Sequence, residues 1–252
     1  TSSPGSGEPP ALSVVIPAYN EERRLPPALE RLAAFLDGRG GGWDIVVVDD
    51  GSRDATCRRV RELQRSIPQL GLIELGRNSG KGAAVRRGLA EARGARRLFT
   101  DADLSTALDC LTAFERELAG GAEVVIGSRA HPESRIPRNQ AFARQRLGKI
   151  FNAIMRVLVG LPFADTQCGF KLFTAAAAER ILPLARVDGF AFDVELLVIA
   201  REAGLRIVEC PVEWSNDPES KVSVVGHPLA MFGELLAIRR RLLAGGYGEI
   251  SA

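Results

Sequence analysis

Four short apolar runs, Leu12–Ile16, Ile45–Val48, Leu72–Leu75 and Arg96–Thr100, alternate with stretches of helical periodicity, and a fifth run, Val124–Ile126, follows them. Strand, helix, strand repeated in this way predicts an α/β fold, a mostly parallel twisted sheet flanked by helices. Local signals agree with that pattern. The first helix has Pro26 and Pro27 near its start, where a missing N–H is tolerated, and sets Leu29, Leu32, Phe35 and Leu36 on one face before Gly38 to Gly42 ends it. A later helix over about Ala107–Leu118 stops at Gly120-Gly121.

With 252 residues, 46% of them apolar, the chain is long enough to close a single domain of this kind. Residues 1–10 have the composition of a disordered tail, residues 11–227 form the domain, in halves 11–127 and 128–227, and residues 228–252 form a C-terminal amphipathic helix and tail. Past Gly127 the alternation breaks. The stretch Ser134 to Gly160 contains Arg135, Arg138, Arg144, Arg146, Lys149 and Arg156 and no acid, with Leu147, Ile150, Phe151, Ile154, Met155 and Leu158 on one helical face. It reads either as a helix packed on the core with a solvated basic rim or as a surface for an anionic partner. Further helices are expected at Ala175–Leu184, Phe192–Ala203 and Pro228–Leu243, with an extended piece at Leu205–Val212. The last helix sets Phe232, Leu235, Leu236, Leu242 and Leu243 against Arg239-Arg240-Arg241, a second surface open to peripheral membrane contact or to plain packing.

Thirty-three basic against 31 acidic residues leave a net charge of +2, which gives no global field for nucleic acid. Cys57, Cys110, Cys168 and Cys210 lie far apart, without metal-ligand spacing, as reduced thiols of a cytoplasmic protein would. No apolar run reaches the roughly 18 residues of a membrane span, so any membrane contact is expected to be peripheral, on the cytoplasmic face.

Ligands of open α/β sheets bind outside the C-terminal ends of the strands, and here each of those ends carries a distinctive turn. The first is Ile16-Pro17-Ala18-Tyr19-Asn20-Glu21-Glu22, with Tyr19 able to stack on a base; the second is Val48-Asp49-Asp50-Gly51-Ser52, with an acid able to accept from a base or ribose. After the third strand, Arg77-Asn78-Ser79-Gly80-Lys81-Gly82 opens a helix and offers a phosphate-facing surface that includes Lys81. It lacks P-loop spacing, and no G-x-G-x-x-G follows the first strand. The fourth strand ends in Asp101-Ala102-Asp103-Leu104-Ser105, two carboxylates at i and i+2. That pair suits a hard divalent cation and the phosphates it holds, or simply caps the next helix.

In order, Pro-Ala-Tyr-Asn-Glu, Asp-Asp-Gly-Ser, Asn-Ser-Gly-Lys-Gly and Asp-Ala-Asp resemble the motifs of the family-2 glycosyltransferases with the GT-A fold, over nearly all of residues 11 to 225. Gly127-Ser128-Arg129 and Asp165-Thr166-Gln167-Cys168-Gly169-Phe170-Lys171-Leu172-Phe173 are similar to the branch that transfers a sugar to polyprenyl (dolichyl-type) phosphates. The resemblance implies that Pro17, Tyr19, Glu21, Val48 and Asp50 surround the base and ribose, that Asp101 and Ala102 continue that wall, and that Asp103 ligates Mg²⁺ or Mn²⁺ on the diphosphate. Ser105 stands where mannosyl-transferring members often have a ligating Gln. Arg129 and Arg144 match positions that grip the acceptor phosphate, and Lys221, in Glu219-Ser220-Lys221, matches a lysine that closes on the donor diphosphate. Ser215 replaces a basic residue of the mannosyl branch, so glucose from UDP-glucose is favoured over mannose from GDP-mannose.

The chemistry follows from general principles. Breaking a sugar–diphosphate bond leaves charge on a phosphate oxygen, which a divalent ion and Lys221 would stabilise. Attack from the opposite face inverts the anomeric centre. A phosphate acceptor, ionised a second time at about pH 6, needs no base, and Arg129 and Arg144 would position it. A hydroxyl or amine acceptor would need one, with Asp165, Asp193 or Glu195 as candidates; each serves equally well as a helix cap or ion-pair partner. Inverting, metal-dependent transfer of glucose to a polyprenyl phosphate is the expected activity. A transferase acting on a small-molecule or carrier-bound acceptor and a nucleotide-binding module without turnover are the alternatives.

Overall fold

The computed structural model describes residues 9–136, 158–215 and 226–248. Seven strands, β1 (Leu12–Ala18), β2 (Trp43–Asp49), β3 (Leu70–Glu74), β4 (Arg96–Thr100), β5 (Val124–Ser128), β6 (Phe170–Thr174) and β7 (Ile207–Pro211), form one sheet in the order β3-β2-β1-β4-β6-β5-β7. All pairings are parallel except those of β6, which runs antiparallel to β4 and β5. The helices are α1 (Leu25–Arg39), α2 (Thr56–Leu63), α3 (Lys81–Glu91), α4 (Cys110–Ala119), α5 (Ala175–Ile181), α6 (Phe192–Glu202) and α7 (Gly226–Leu243). The expected α/β sandwich is therefore present, and the expected strands and helices recur with ends shifted by a few residues.

β6 is the element the periodicity does not disclose. Its middle holds Lys171, a charge where a buried strand should be apolar, yet Lys171 is fully buried. Its ammonium donates to the Cys168 carbonyl at 2.7 Å and to Asp193 Oδ1 at 2.5 Å, so the charge is paired inside the fold. β6 enters between β4 and β5, pairing Leu172 with Leu98 on one side and with Val125 on the other.

Side chains that alternate along β1 feed two cores. Val14 and Ile16 pack with Leu29, Leu32, Val60 and Phe114, under α1, α2 and α4; Val15 packs with Val85, Leu89, Phe99, Phe192 and Leu235, under α3, α6 and α7. An edge-on ring contact helps close each face, Phe114 on Phe170 at 5.1 Å and Phe99 on Phe192 at 5.6 Å. α7 docks through Met231, Leu235 and Ile238, and Tyr247 beyond it is buried with its hydroxyl on Glu195 at 2.8 Å. Most of the basic stretch Ser134 to Gly160, residues 137–157, lies outside the described residues. Among the described residues no helix is long and apolar enough to cross a membrane, and all four cysteines are free thiols.

α3 comes close to the sheet because Gly88 faces it: a Cβ there would run into Val15 and would lie 2.8 Å from Val48 Cγ2. Gly88→Ala is therefore expected to destabilise the protein by about 1–3 kcal/mol through overpacking, despite alanine's better helix propensity. Gly38→Ala, in α1 with nothing within 4 Å of the added carbon, provides the contrast. Thermal denaturation should show a lowered Tm for the first substitution and an unchanged or raised Tm for the second.

Candidate active site

The C-terminal ends of β1, β2 and β4 and the start of α3 open onto one cleft of about 810 Å³, which Arg129, Gln167, Phe190, Asp193 and Trp214 also line. At the end of β1, Pro17, Tyr19 and Glu21 line it. Asn20 between them takes a left-handed backbone (φ 55°), which Asn tolerates; its N–H donates to Ser52 Oγ at 2.8 Å and its Oδ1 accepts from the Arg53 N–H at 2.8 Å. The two turns are thus tied together. Tyr19 remains 39% exposed at the cleft. Glu21 is already paired, accepting Arg24 Nε at 2.8 Å and Nη2 at 2.6 Å.

At the end of β2, Asp50 lines the cleft, but its carboxylate accepts the Ser79 and Gly80 N–H groups at 2.6 and 2.9 Å. Burial pushes its carboxyl above the usual range against the pull of those two bonds. Val48 is not among the residues that line the cleft: its side chain is fully buried in the core beneath α3. The resemblance set Val48 beside the base and ribose; its side chain packs in that core. The glycine-rich turn is also arranged differently from expectation. Gly82 and Ala83 give their N–H groups to the Asp188 carbonyl at 2.7 and 3.2 Å, so with Ser79 and Gly80 on Asp50 these amides face protein acceptors rather than open space. Lys81 lines the cleft, its ammonium 2.7 Å from Asp101 Oδ1.

At the end of β4, Asp101, Ala102, Asp103 and Ser105 all face the cleft. The Leu104 N–H closes the turn on the Asp101 carbonyl at 3.1 Å, and the Ser105 N–H caps Asp103 Oδ1 at 3.0 Å. Leu104 itself sits at φ 47°, a conformation rarely adopted by a side chain of its kind, and is held there because that side chain is buried among core residues. Burial raises the Asp103 carboxyl pKa, and the Asp101 charge raises it further.

After β5, Arg129 Nε and Nη2 bind Asp165 at 2.6 and 2.9 Å, and the guanidinium lies 5.6 Å from the Trp214 ring. Burial disfavours the Asp165 carboxylate, but Arg129 outweighs it and holds the carboxyl below its ordinary pKa. Asp193, the second residue of α6, faces the cleft while bound to Lys171. Glu195 is not in the site: it accepts the Arg186 and Val187 N–H groups at 2.7 and 2.6 Å and the Tyr247 hydroxyl at 2.8 Å. Of the three candidate bases, then, Asp165 and Asp193 are ion-paired at the cleft and Glu195 braces a loop. Arg144 and Lys221 lie outside the described residues. Sequence reasoning passed over Asn78, Gln167, Phe190 and Trp214 as lining residues. Gln167 lay inside a quoted motif and Trp214 is one of only two tryptophans, but no spacing rule links either to a strand end.

The model of Glycosyl transferase family 2 matches residues 13–182. The chain is 35% identical to dolichyl-phosphate beta-glucosyltransferase of Dictyostelium discoideum over 93% of its length and 75% of the relative's, and 35% identical to that of Homo sapiens over 94% and 77%. A dolichyl-phosphate beta-glucosyltransferase of Trichomonas vaginalis is 38% identical over 84% of the chain and 66% of its own length, so the chain spans about two thirds to three quarters of these relatives. Among solved structures, glucosyl-3-phosphoglycerate synthase from Mycobacterium tuberculosis, in complex with Mn²⁺, UDP-glucose and phosphoglyceric acid, superposes with a TM-score of 0.64 at 20% identity, covering 92% of this chain and 80% of that one. That likeness establishes a shared fold.

The raised Asp103 pKa makes its ionisation more costly in the folded than in the unfolded chain. This penalty is present above the folded-state pKa and vanishes below the ordinary value of 3.8. In EDTA, Asp103→Asn should therefore melt at a higher temperature than the parent at pH 7, with the difference shrinking as the pH falls toward 4. An equal or lower Tm at pH 7 would contradict the assignment.

Proposed function

Because the chain belongs to glycosyltransferase family 2, we propose that it transfers glucose, with inversion, from UDP-glucose to a polyprenyl phosphate of the dolichyl type. The names of the relatives support the substrate pair. The observation that carries the acceptor class is the state of the two candidate bases at the cleft: among the described residues, Asp165 is bound by Arg129 and Asp193 by Lys171, so both are paired carboxylates rather than a free general base. An anionic phosphate oxygen requires no base. It attacks the anomeric carbon, the new C–O bond forms as the bond to the diphosphate breaks, and the electron pair departs on UDP.

Tyr19 is suited to stack on uracil, with Pro17 and Asp50 beside it. Arg129 is held by Asp165 on one edge and Trp214 on one face, which leaves its remaining N–H groups to orient the acceptor phosphate. Arg144 is assigned to the same phosphate and Lys221 to the donor diphosphate. The residues present fit a hard divalent cation: the Asp103 carboxylate faces the cleft, and the neighbouring Asp101 charge disfavours its ionisation. Asp103, flanked by Ser105, would hold Mg²⁺ or Mn²⁺ together with the diphosphate oxygens. Such an ion supplies positive charge to the leaving group.

The outer face of α7 supports a peripheral seat on the membrane. Phe232, Leu236 and Leu243, 43%, 46% and 77% exposed, fall within an arc of about 40° on the helix, flanked by the exposed Arg239 and Arg240. Glu234, the single acid of α7, turns the other way and accepts the Ala191 N–H at 2.9 Å.

Incubation with radiolabelled UDP-glucose, Mn²⁺ and polyprenyl phosphate should move label into the organic phase, and Asp103→Ala should reduce that transfer at least about 100-fold. No label in the lipid from active, folded protein would overturn the acceptor assignment. Separately, co-sedimentation with phosphatidylserine vesicles should fall when Phe232 and Leu236 are both replaced by Ser, and fall with added salt. Undiminished binding would remove α7 from the membrane surface.

A further inference from the structure

The wall of the cleft at the end of β4 presents two carboxylates, yet they are not in equivalent states. Asp101 is confined. Its backbone N–H donates to the Gly169 carbonyl at 3.2 Å, and any side chain at residue 169 would overlap its carboxylate, so Gly169 leaves the space Asp101 occupies. Lys81 then closes on Oδ1 at 2.7 Å. Asp103 has no cation in ion-pair contact among the described residues, and Ser105 is its hydrogen-bonding neighbour.

Lys81 is itself held from several sides. It is the first residue of α3, and the turn before it hangs from Asp50 through the Ser79 and Gly80 N–H groups. The next two N–H groups, of Gly82 and Ala83, bind the Asp188 carbonyl. Its ammonium lies 5.5 Å from the Phe99 ring centroid and 5.9 Å from that of Phe192, two aromatic faces that favour a cation. Burial opposes its charge, but Asp101 and Asp193 outweigh burial and keep it protonated.

We infer that Lys81 is a positioning residue that withholds Asp101 from the divalent cation, so that the cation enters the cleft with the nucleotide diphosphate rather than ahead of it. The inference rests on the glycosyl-transfer reading above. Three observations carry it. One of the two carboxylates is neutralised by a tethered ammonium. The ammonium also places positive charge beside the region a cation would occupy. Among the described residues, no group of three or more His, Cys, Asp or Glu side chains is arranged to hold a metal ion. With Asp103 as the single available carboxylate, the missing oxygen ligands must come from water and the donor's phosphates, a common arrangement for ions that dehydrate reluctantly. This differs from the simple phosphate-facing role that the glycine-rich turn first indicates for Lys81.

The test measures binding without sugar transfer. Free Mn²⁺ is titrated by electron paramagnetic resonance against the parent protein, with and without UDP, and against Lys81→Met, Lys81→Arg, Asp101→Asn and the Lys81→Met/Asp101→Asn double variant. The parent should bind Mn²⁺ weakly alone and strongly with UDP. Lys81→Met should bind Mn²⁺ alone at least about tenfold more tightly, because removing one positive charge releases one negative one. The double variant should return to the parent value, and Lys81→Arg should resemble the parent. Asp101→Asn alone should weaken Mn²⁺ binding, because it leaves the Lys81 charge unpaired beside the site; the charge-neutral double variant keeps the test decisive if Lys81→Met fails to fold, since loss of a ligating Asp101 would make it bind more weakly than the parent. An unchanged Mn²⁺ affinity in Lys81→Met with weakened UDP binding would make Lys81 a diphosphate ligand and overturn the inference. So would a tenfold loss in the double variant. Absence of UDP-dependent Mn²⁺ binding in the parent would instead overturn the glycosyl-transfer reading on which the inference stands.

Discussion

β1 hydrogen-bonds in parallel to β2 along one edge and to β4 along the other, and all seven of its residues are buried. A slip of one residue would exchange Val14 and Ile16 for Val15 between two filled cores, so the register has no low-energy alternative. The register sets Ala18 opposite Asp49 and Val15 opposite Phe99, which brings the Tyr19 turn, the Asp50 turn and the Asp101–Asp103 turn to the same end of the sheet. The cleft is a consequence of that alignment. Cross-bonds between turns, Asn20 to Ser52 and Asp50 to Ser79 and Gly80, then remove the freedom that surface loops otherwise keep.

Charge around the cleft is arranged in pairs that span different elements. Lys171 on β6 joins Asp193 on α6, Arg129 after β5 joins Asp165, and Lys81 on α3 joins Asp101 after β4. The desolvated Lys171–Asp193 pair adds little net stability, but removal of one member strands the other at a cost of about 3–5 kcal/mol. The effect of all three pairs is geometric. Each fixes a side chain at the cleft wall to an element behind it, so the wall keeps its shape before any ligand arrives.

The parts of this arrangement that were legible in the chain are those governed by local rules. Apolar runs and glycine stops gave the parallel strands and most helices, and motif order along the strand ends gave the cleft and its family. β6 escaped because Lys171 breaks the apolar pattern, and its partner Asp193 lies 22 positions away, beyond any local rule. The burial of the Val48 side chain beneath α3 is a matter of tertiary packing, which a motif does not record. The amides of the glycine-rich turn looked available for phosphate until Asp50 and the Asp188 carbonyl, one of them far along the chain, proved to occupy them. Trp214 reaches Arg129 only through tertiary packing, and the backbone there pairs with the acidic turn itself, Ser215 N–H to the Ser105 carbonyl at 2.8 Å.

Leu104 joins two jobs that most folds keep apart. Its backbone shapes the turn between Asp103 and Ser105, and its side chain fills a place in the core beneath α1 and α4. Glycine would accept the left-handed backbone and vacate the core; a larger or branched side chain would press on both at once. The acidic turn and the hydrophobic layer under it are therefore coupled through one residue, and a change in that layer is felt at the cleft.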